Sequence, residues 1–189
     1  MPRIIAGKFR GRVLVTPKGD ATRPTQDRTK EALFSILGGD FTGRSAIDLY
    51  AGTGSLGLEA LSRGAEPVTL VESFAVALRA IETNIAALGV SEDVIVFPYA
   101  VEVAIKRVRP ADIIFMDPPY ALEGLDDIIA EIFELKVLKP GGVLVVETSA
   151  KRVLLLRDDV QIRSERKYSD TKLTFLEWAP LQMDVQMDA

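Results

Sequence analysis

One stretch constrains the fold more than any other: Ile47-Asp48-Leu49-Tyr50-Ala51-Gly52-Thr53-Gly54-Ser55-Leu56-Gly57-Leu58-Glu59-Ala60-Leu61. An apolar strand runs into a glycine-rich turn and straight on into a helical pattern. Gly52 and Gly54 let the backbone turn sharply and come close to a ligand, because neither carries a Cβ. The helix that follows aims free N–H groups back at whatever sits in the turn. Gly52 to Gly57 satisfies the loose pattern G-x-G-x-x-G, which a strand–helix turn without a ligand can also satisfy. Three features add weight to it: Asp48 ahead of the glycines, Glu72 at the end of the next strand, and Asp117-Pro118-Pro119-Tyr120 further on.

The rest of the chain repeats the strand-then-helix alternation. Val68–Val71, Val94–Phe97, Ile113–Met116 and Val143–Glu147 read as buried strands. Between them, Phe74, Leu78, Ile81, Ile85 and Leu88 mark one helix face, Val101–Arg107 a short helix, and Leu125, Ile128, Ile129, Ile132 and Phe133 another face. Lys139-Pro140-Gly141-Gly142 reads as a turn. Continuous apolar strands alternating with amphipathic helices predict an α/β, Rossmann-like sheet, mostly parallel and covered on both faces. Val160–Lys167 and Leu173–Trp178 have no helix between them and predict an antiparallel pair at the C-terminal edge.

Ahead of this body, residues 1–24 form a basic arm or β-hairpin punctuated by Gly7, Gly11, Pro17 and Gly19, with few residues able to anchor a core, so we expect it to be mobile. Thr25 is the expected N-cap of a first helix over residues 26–37, which Gly38-Gly39 stops. The main domain then spans 25–179, and 180–189 is expected to be a disordered tail.

Composition narrows the chemistry. The 189 residues include no Cys and no His, which excludes the usual zinc sites, disulfides, thiol nucleophiles and Ser-His catalysis. No metal is expected. The N-terminus lacks the apolar core of a signal peptide, and no run approaches the length of a membrane span, so a cytoplasmic protein with no membrane partner is expected. The net charge of -4 argues against a nucleic-acid partner until its distribution is considered. Residues 1–30 hold eight basic groups against Asp20 and Asp27, a basic segment on an acidic body.

In an open parallel sheet, ligands bind beyond the carboxyl ends of the strands. A carboxylate after the second strand, Glu72, is placed to accept hydrogen bonds from the two hydroxyls of a ribose. Two prolines after a buried strand make a stiff extended turn without N–H donors. The Asp117 carboxylate and the local carbonyls are then left as acceptors, which is what the exocyclic amino group of a base requires. Tyr120 supplies a flat face on which such a base can stack.

These motifs resemble the class I S-adenosylmethionine-dependent methyltransferases that modify amino nitrogens. The resemblance is closer to the bacterial 16S rRNA guanine-N2 methyltransferases of the RsmD family. It is carried by Arg3-Ile4-Ile5-Ala6-Gly7, Thr22-Arg23-Pro24-Thr25 with Asp27-Arg28, Glu31–Leu37, Asp48–Ala65, Asp117–Tyr120 and Tyr168–Trp178. Ser35 stands where the family often has Asn, and Pro98-Tyr99 where many relatives offer an Asp or Asn to the adenine.

The resemblance implies S-adenosylmethionine as cofactor, held by Asp48, Tyr50, Ala51, Gly52, Thr53, Gly54, Glu72 and Ser73, by backbone near Tyr99 and Ala100, and by Asp117. It implies Asp117, Pro118, Pro119 and Tyr120 as the residues that orient and stack a guanine. It also implies Arg3, Lys8, Arg10, Arg12, Arg23 and Arg28 as phosphate contacts to 16S rRNA, within a small ribosomal subunit or an assembly intermediate. We expect a monomer.

Three other readings fit parts of the sequence. A DNA base methyltransferase would share the Asp-Pro-Pro-Tyr corner, but no separate domain for duplex recognition is visible. A nicotinamide-dependent oxidoreductase would usually need a second mononucleotide-binding half and a proton donor such as His. A non-catalytic RNA-binding or ribosome-assembly module would need neither the glycine loop nor the double-proline corner.

Overall fold

The computed structural model describes residues 2–17 and 24–180, with residues 24–28 described by their backbone alone. Strands β1 (Ala46–Leu49), β2 (Val68–Val71), β3 (Val94–Phe97), β4 (Ala111–Met116), β5 (Leu138–Ser149), β6 (Val160–Tyr168) and β7 (Thr171–Trp178) form one sheet in the order β3-β2-β1-β4-β5-β7-β6. The first five are mutually parallel, whereas β7 runs antiparallel to both β5 and β6. The predicted architecture is therefore present. The last strand of the chain enters the sheet beside β5 and leaves β6 on the outer edge.

Alternation along each strand builds two cores. In β4, Ile113 and Phe115 face one side and Ile114 and Met116 the other, and in β5 Val143 and Val145 oppose Leu144 and Val146. The first side is covered by α1 (Pro24–Ile36), α2 (Ser55–Ser62) and α3 (Ala75–Leu88), through Phe34, Leu58 and Ile81 among others. The second is covered by α4 (Val101–Ala104) and α5 (Leu125–Glu134), through Val101, Ile129 and Phe133. Both faces of the central strands β1, β2, β4 and β5 are thus dry, which is why these strands read as apolar runs.

Several local expectations are corrected. Thr25 lies inside α1, whose first residue is Pro24, a position where a missing N–H costs nothing. The short helix ends at Ala104 rather than Arg107. Lys139 to Gly142 belong to β5, where a register shift opposite Ala111 to Ile113 absorbs the extra residues. Residues 181–189 of the expected tail, and Arg23, lie outside the described residues.

The largest correction concerns the arm. It does not hang free: Ile4 and Leu14 are completely buried in the first core. A single antiparallel bridge, Arg3 to Val13, closes it into a hairpin. Glu59 of α2, itself fully buried, accepts the N–H groups of Ile5 (2.7 Å) and Ala6 (3.0 Å) and pairs with Arg63 and Lys30. Lys30 also donates to the Arg3 carbonyl and to Ser55 Oγ. The approach is close enough that a Cβ on Gly7 would lie 1.8 Å from the Ser62 carbonyl oxygen.

Candidate active site

The strand register places the decisive side chains in one row. Leu49 pairs with Val71 on one side and Met116 on the other, and Met116 pairs with Val146. The next residue on each strand is therefore Glu72, Tyr50, Asp117 and Glu147, in spatial order across β2, β1, β4 and β5. All four line a cleft of about 930 Å³ at the carboxyl ends of the strands.

On the β1–β3 side the wall is built by Tyr50, Gly52, Glu72, Ser73, Tyr99 and Ala100. Glu72 is buried, and its carboxylate accepts the N–H of Gly52 (2.8 Å), Ser73 (2.7 Å) and Phe74 (2.8 Å). A carboxylate offers about four acceptor positions, so roughly one remains for an incoming hydroxyl. Tyr50 holds a left-handed backbone, φ 63, and its buried hydroxyl has no hydrogen-bond partner among the described residues. Burial first, then the charge of Glu102, pushes that phenol up to about 12.

Asp48, Ala51, Thr53 and Gly54, all expected around the ligand, do not line the cleft. They hold the loop in shape behind it. Asp48 is buried and accepts the Gly57 N–H at 2.8 Å, fastening the start of α2 to β1. Its carboxyl is raised to about 7, chiefly by burial and further by the charges of Asp117 and Glu72. Gly57 itself is a packing glycine, since a Cβ there would meet Leu70 at 2.3 Å. The Thr53 carbonyl accepts a hydrogen bond from Asn84, whose amide also pairs with both backbone groups of Val15. One buried side chain on α3 thus joins the arm to the glycine loop.

On the β4–β5 side stand Asp117, Pro118, Pro119, Tyr120, Glu147 and the β6–β7 turn. Tyr120 is 60% exposed, and its hydroxyl is tethered to Thr171 Oγ1 at 2.7 Å, so the ring is held beside the turn with a face open. Asp117 is exposed to the cleft, and desolvation by the protein packed around its carboxyl raises it to about 6. Glu147 is raised to about 8, by desolvation first and by Asp117 second. Neither makes a side-chain hydrogen bond or ion pair among the described residues. Two neighbouring acids of this kind share their charge and titrate as a pair.

Glu147 is a site residue that the sequence reasoning misses, although the rule applied to Asp117, a carboxylate at the carboxyl end of a buried parallel strand, applies to it equally. The β6–β7 turn, which reads in sequence as a plain connection, also lines the cleft. Arg3, Lys8, Arg10 and Arg12 are exposed on the docked hairpin, whereas Arg28 has only its backbone described. Among the described residues there is no group of three or more side chains able to hold a metal ion, and no helix long and apolar enough to cross a membrane.

Comparison with known proteins bears on this site. A family model described as "Conserved hypothetical protein 95" matches residues 2–177. The curated Escherichia coli (strain K12) protein "Ribosomal RNA small subunit methyltransferase D" is 34% identical over 152 residues, 80% of this chain and 77% of its own. The chain belongs to the RsmD family. The solved structure of the Escherichia coli protein yhhF is 29% identical, covers 93% of this chain and 97% of its own, and superposes with a TM-score of 0.84. A more distant chain shares the fold: the Thermus thermophilus "16S rRNA N2 G1207 methyltransferase (RsmC) in complex with AdoMet and Guanosine", 24% identical with a TM-score of 0.64 over 86% of this chain and 45% of that one. In RsmD-family terms the matched region takes in the docked hairpin, the glycine loop and the double-proline corner alike.

Proposed function

We propose that this protein is an rRNA methyltransferase that moves a methyl group from S-adenosylmethionine to the exocyclic N2 amine of a guanine in small-subunit rRNA. The observation that carries the reading is the row across four strands. Glu72 and Tyr50 stand on one half of the cleft, the Asp117-Pro118 acceptors on the other, and both halves open into the same space. The residues present fit the cofactor: an acceptor position left on Glu72, an unpartnered Tyr50 hydroxyl, and open space where a Cβ of Gly52 would stand. The cofactor would lie against Gly52, Glu72, Ser73 and backbone near Tyr99 and Ala100.

S-adenosylmethionine supplies a methyl group already activated on a sulfonium. The chain has only to place the amine. Asp117 and the Pro118 carbonyl accept its two N–H groups and keep its lone pair toward the methyl, while Tyr120 stacks on the ring. Positioning of this kind can lower a barrier by ~7–11 kcal/mol in favourable cases. Asp117 or water takes the proton the nitrogen loses, so no strong base is needed. The target base must leave its stack to reach the cleft, which a loop or bulge in rRNA permits. Arg3, Lys8, Arg10 and Arg12 would contact phosphates beside it. The reading places the protein in the cytoplasm, acting on a small ribosomal subunit or an assembly intermediate.

The test is incubation with labelled S-adenosylmethionine and undermethylated small subunits, followed by mapping of the product. Label recovered as N2-methylguanine in 16S rRNA supports the reading. Label in duplex DNA, or none in RNA, overturns it.

A further inference from the structure

Glu147 is an anomaly in the cleft. It sits inside the sheet, between β4 and β7, with Leu173 as its β7 partner. The basic side chains around it make their ion pairs elsewhere, and the buried Nε–H of Arg152 has no partner among the described residues. Arg152, which lines the same small recess beneath Tyr120, pairs with Asp126 at 2.7 Å. Lys172 donates to the Arg152 carbonyl at 2.7 Å and pairs with Glu165 at 2.9 Å. A half-buried carboxyl beside another acid, with no hydrogen-bond donor to it among the described residues, is costly unless a ligand brings donors. Burial and the charge of Asp117 favour its protonated form; donors arriving from a ligand favour the ionised form.

The chemistry of the bases limits what those donors are. Three bases carry an exocyclic amine. Adenine N6 lies beside N1, and cytosine N4 beside N3, both acceptors in the neutral base. Only guanine sets a ring N–H, N1–H, next to its amine. The register puts Glu147 one strand, roughly 4.8 Å, from Asp117, on the side away from Glu72 and the glycine loop. That is where the base would lie.

We propose that Glu147 is the specificity residue of this site, accepting guanine N1–H while Asp117 and Pro118 hold the adjacent N2 amine. The assignment rests on the guanine-N2 reading above and names what enforces it. Adenine or cytosine in the same pose sets a ring lone pair against the carboxylate and leaves a buried acceptor unpaired. A protonated Glu147 reads the opposite edge, so a ratio of substrates decides between them.

The experiment compares guanine with 2-aminopurine at the mapped nucleotide. 2-Aminopurine keeps the amine but presents an acceptor at N1. Undermethylated small subunits carrying either base are assayed with wild type, Glu147→Gln and Glu147→Asp, and S-adenosylmethionine affinity is measured by calorimetry. Wild type is expected to favour guanine by roughly 100-fold in kcat/KM. Glu147→Gln is expected to cut that preference by about tenfold or more with cofactor affinity unchanged, and Glu147→Asp, which keeps the carboxylate, to retain it. An unchanged ratio in Glu147→Gln, a lost ratio in Glu147→Asp, equal use of both bases by wild type, or loss of cofactor binding in Glu147→Gln overturns the assignment. Absence of N2-methylguanine with wild type overturns the guanine reading itself, and this one with it. N2-methylguanine with an unchanged ratio removes the Glu147 assignment alone.

Discussion

Two carboxylates of this fold, one fully buried and one half-buried, are treated in opposite ways. Glu59, under the N-terminal hairpin, has every lone pair answered: two backbone N–H groups, the Arg63 guanidinium and the Lys30 ammonium. Glu147, in the cleft, has none answered among the described residues and is driven toward its protonated form. A satisfied buried charge holds structure together. An unsatisfied one is tolerated where a ligand completes it. On the function proposed above, the hairpin hub serves as architecture and the cleft row as chemistry, so substitutions in the two places should separate stability from activity.

The largest effect is expected at Asp117. Asp117→Ala removes an acceptor for the amine and should lower methyl transfer by roughly a thousandfold or more, comparable to the loss of a preorganised donor or acceptor in other enzymes. Cofactor affinity by calorimetry should stay close to wild type. Full activity in the variant would end the proposed role. At Glu59 the effect should fall on stability instead. Glu59→Gln removes the buried carboxylate charge that Arg63 and Lys30 pair with, a change expected to cost about 3–5 kcal/mol in urea unfolding. A variant as stable as wild type would show the hub to be incidental and blur the contrast between the two carboxylates.

The contrast also explains what can be read in advance. The middle of the sheet is legible because both its faces are dry, so β1, β2, β4 and β5 announce themselves as apolar runs and the helices over them as stripes. The double-proline corner is legible because its chemistry is local to four residues. Glu147 is not, because its meaning comes from register: thirty positions separate it from Asp117 in sequence, and only the β4–β5 pairing makes them neighbours. The docking of the hairpin is hidden for the same reason. Ile4 and Leu14 look like an insufficient anchor until Glu59 and Asn84, from two different helices, are seen to take its backbone N–H groups. A Glu inside the apolar run Leu58 to Leu61 is the available clue. Asp48 suggests a ligand contact because it precedes the glycines, whereas its carboxylate faces inward to Gly57.

A smaller effect follows from protonation. The folded chain holds protons on Asp117 to about 6, on Asp48 to about 7 and on Glu147 to about 8, well above their ordinary values. The unfolded chain releases them near pH 4. Across that interval the folded state binds more protons, so stability falls as pH rises, and the contribution of Glu147 is the last to be lost. Glu147→Gln should therefore flatten the decline of Tm between pH 7 and about 8.5, while Glu59→Gln leaves that slope as it is. Equal slopes in wild type and Glu147→Gln would mean that the cleft acid is not held protonated.

The smallest effect lies on the outer surface of the hairpin, where Arg3, Lys8, Arg10 and Arg12 are exposed. Their contribution to RNA binding is the release of counterions, which depends on how many phosphates are neutralised and not on which base is read. Removing one of them should lower the slope of log affinity against log salt by about one unit for each phosphate no longer neutralised, and leave the guanine preference intact. Arg10→Ala and Arg12→Ala, measured by salt titration of RNA binding, test this directly. Because the hairpin is pinned by Glu59 and Asn84, these charges are carried on a rigid edge. Loosening it with Asn84→Ala should weaken RNA binding without changing the salt slope, since the charges remain and only their placement is disturbed. If Asn84→Ala reduced the slope as the arginine variants do, the hairpin would be acting as a floating charged tether, and the division between an architectural side and a chemical side would fail.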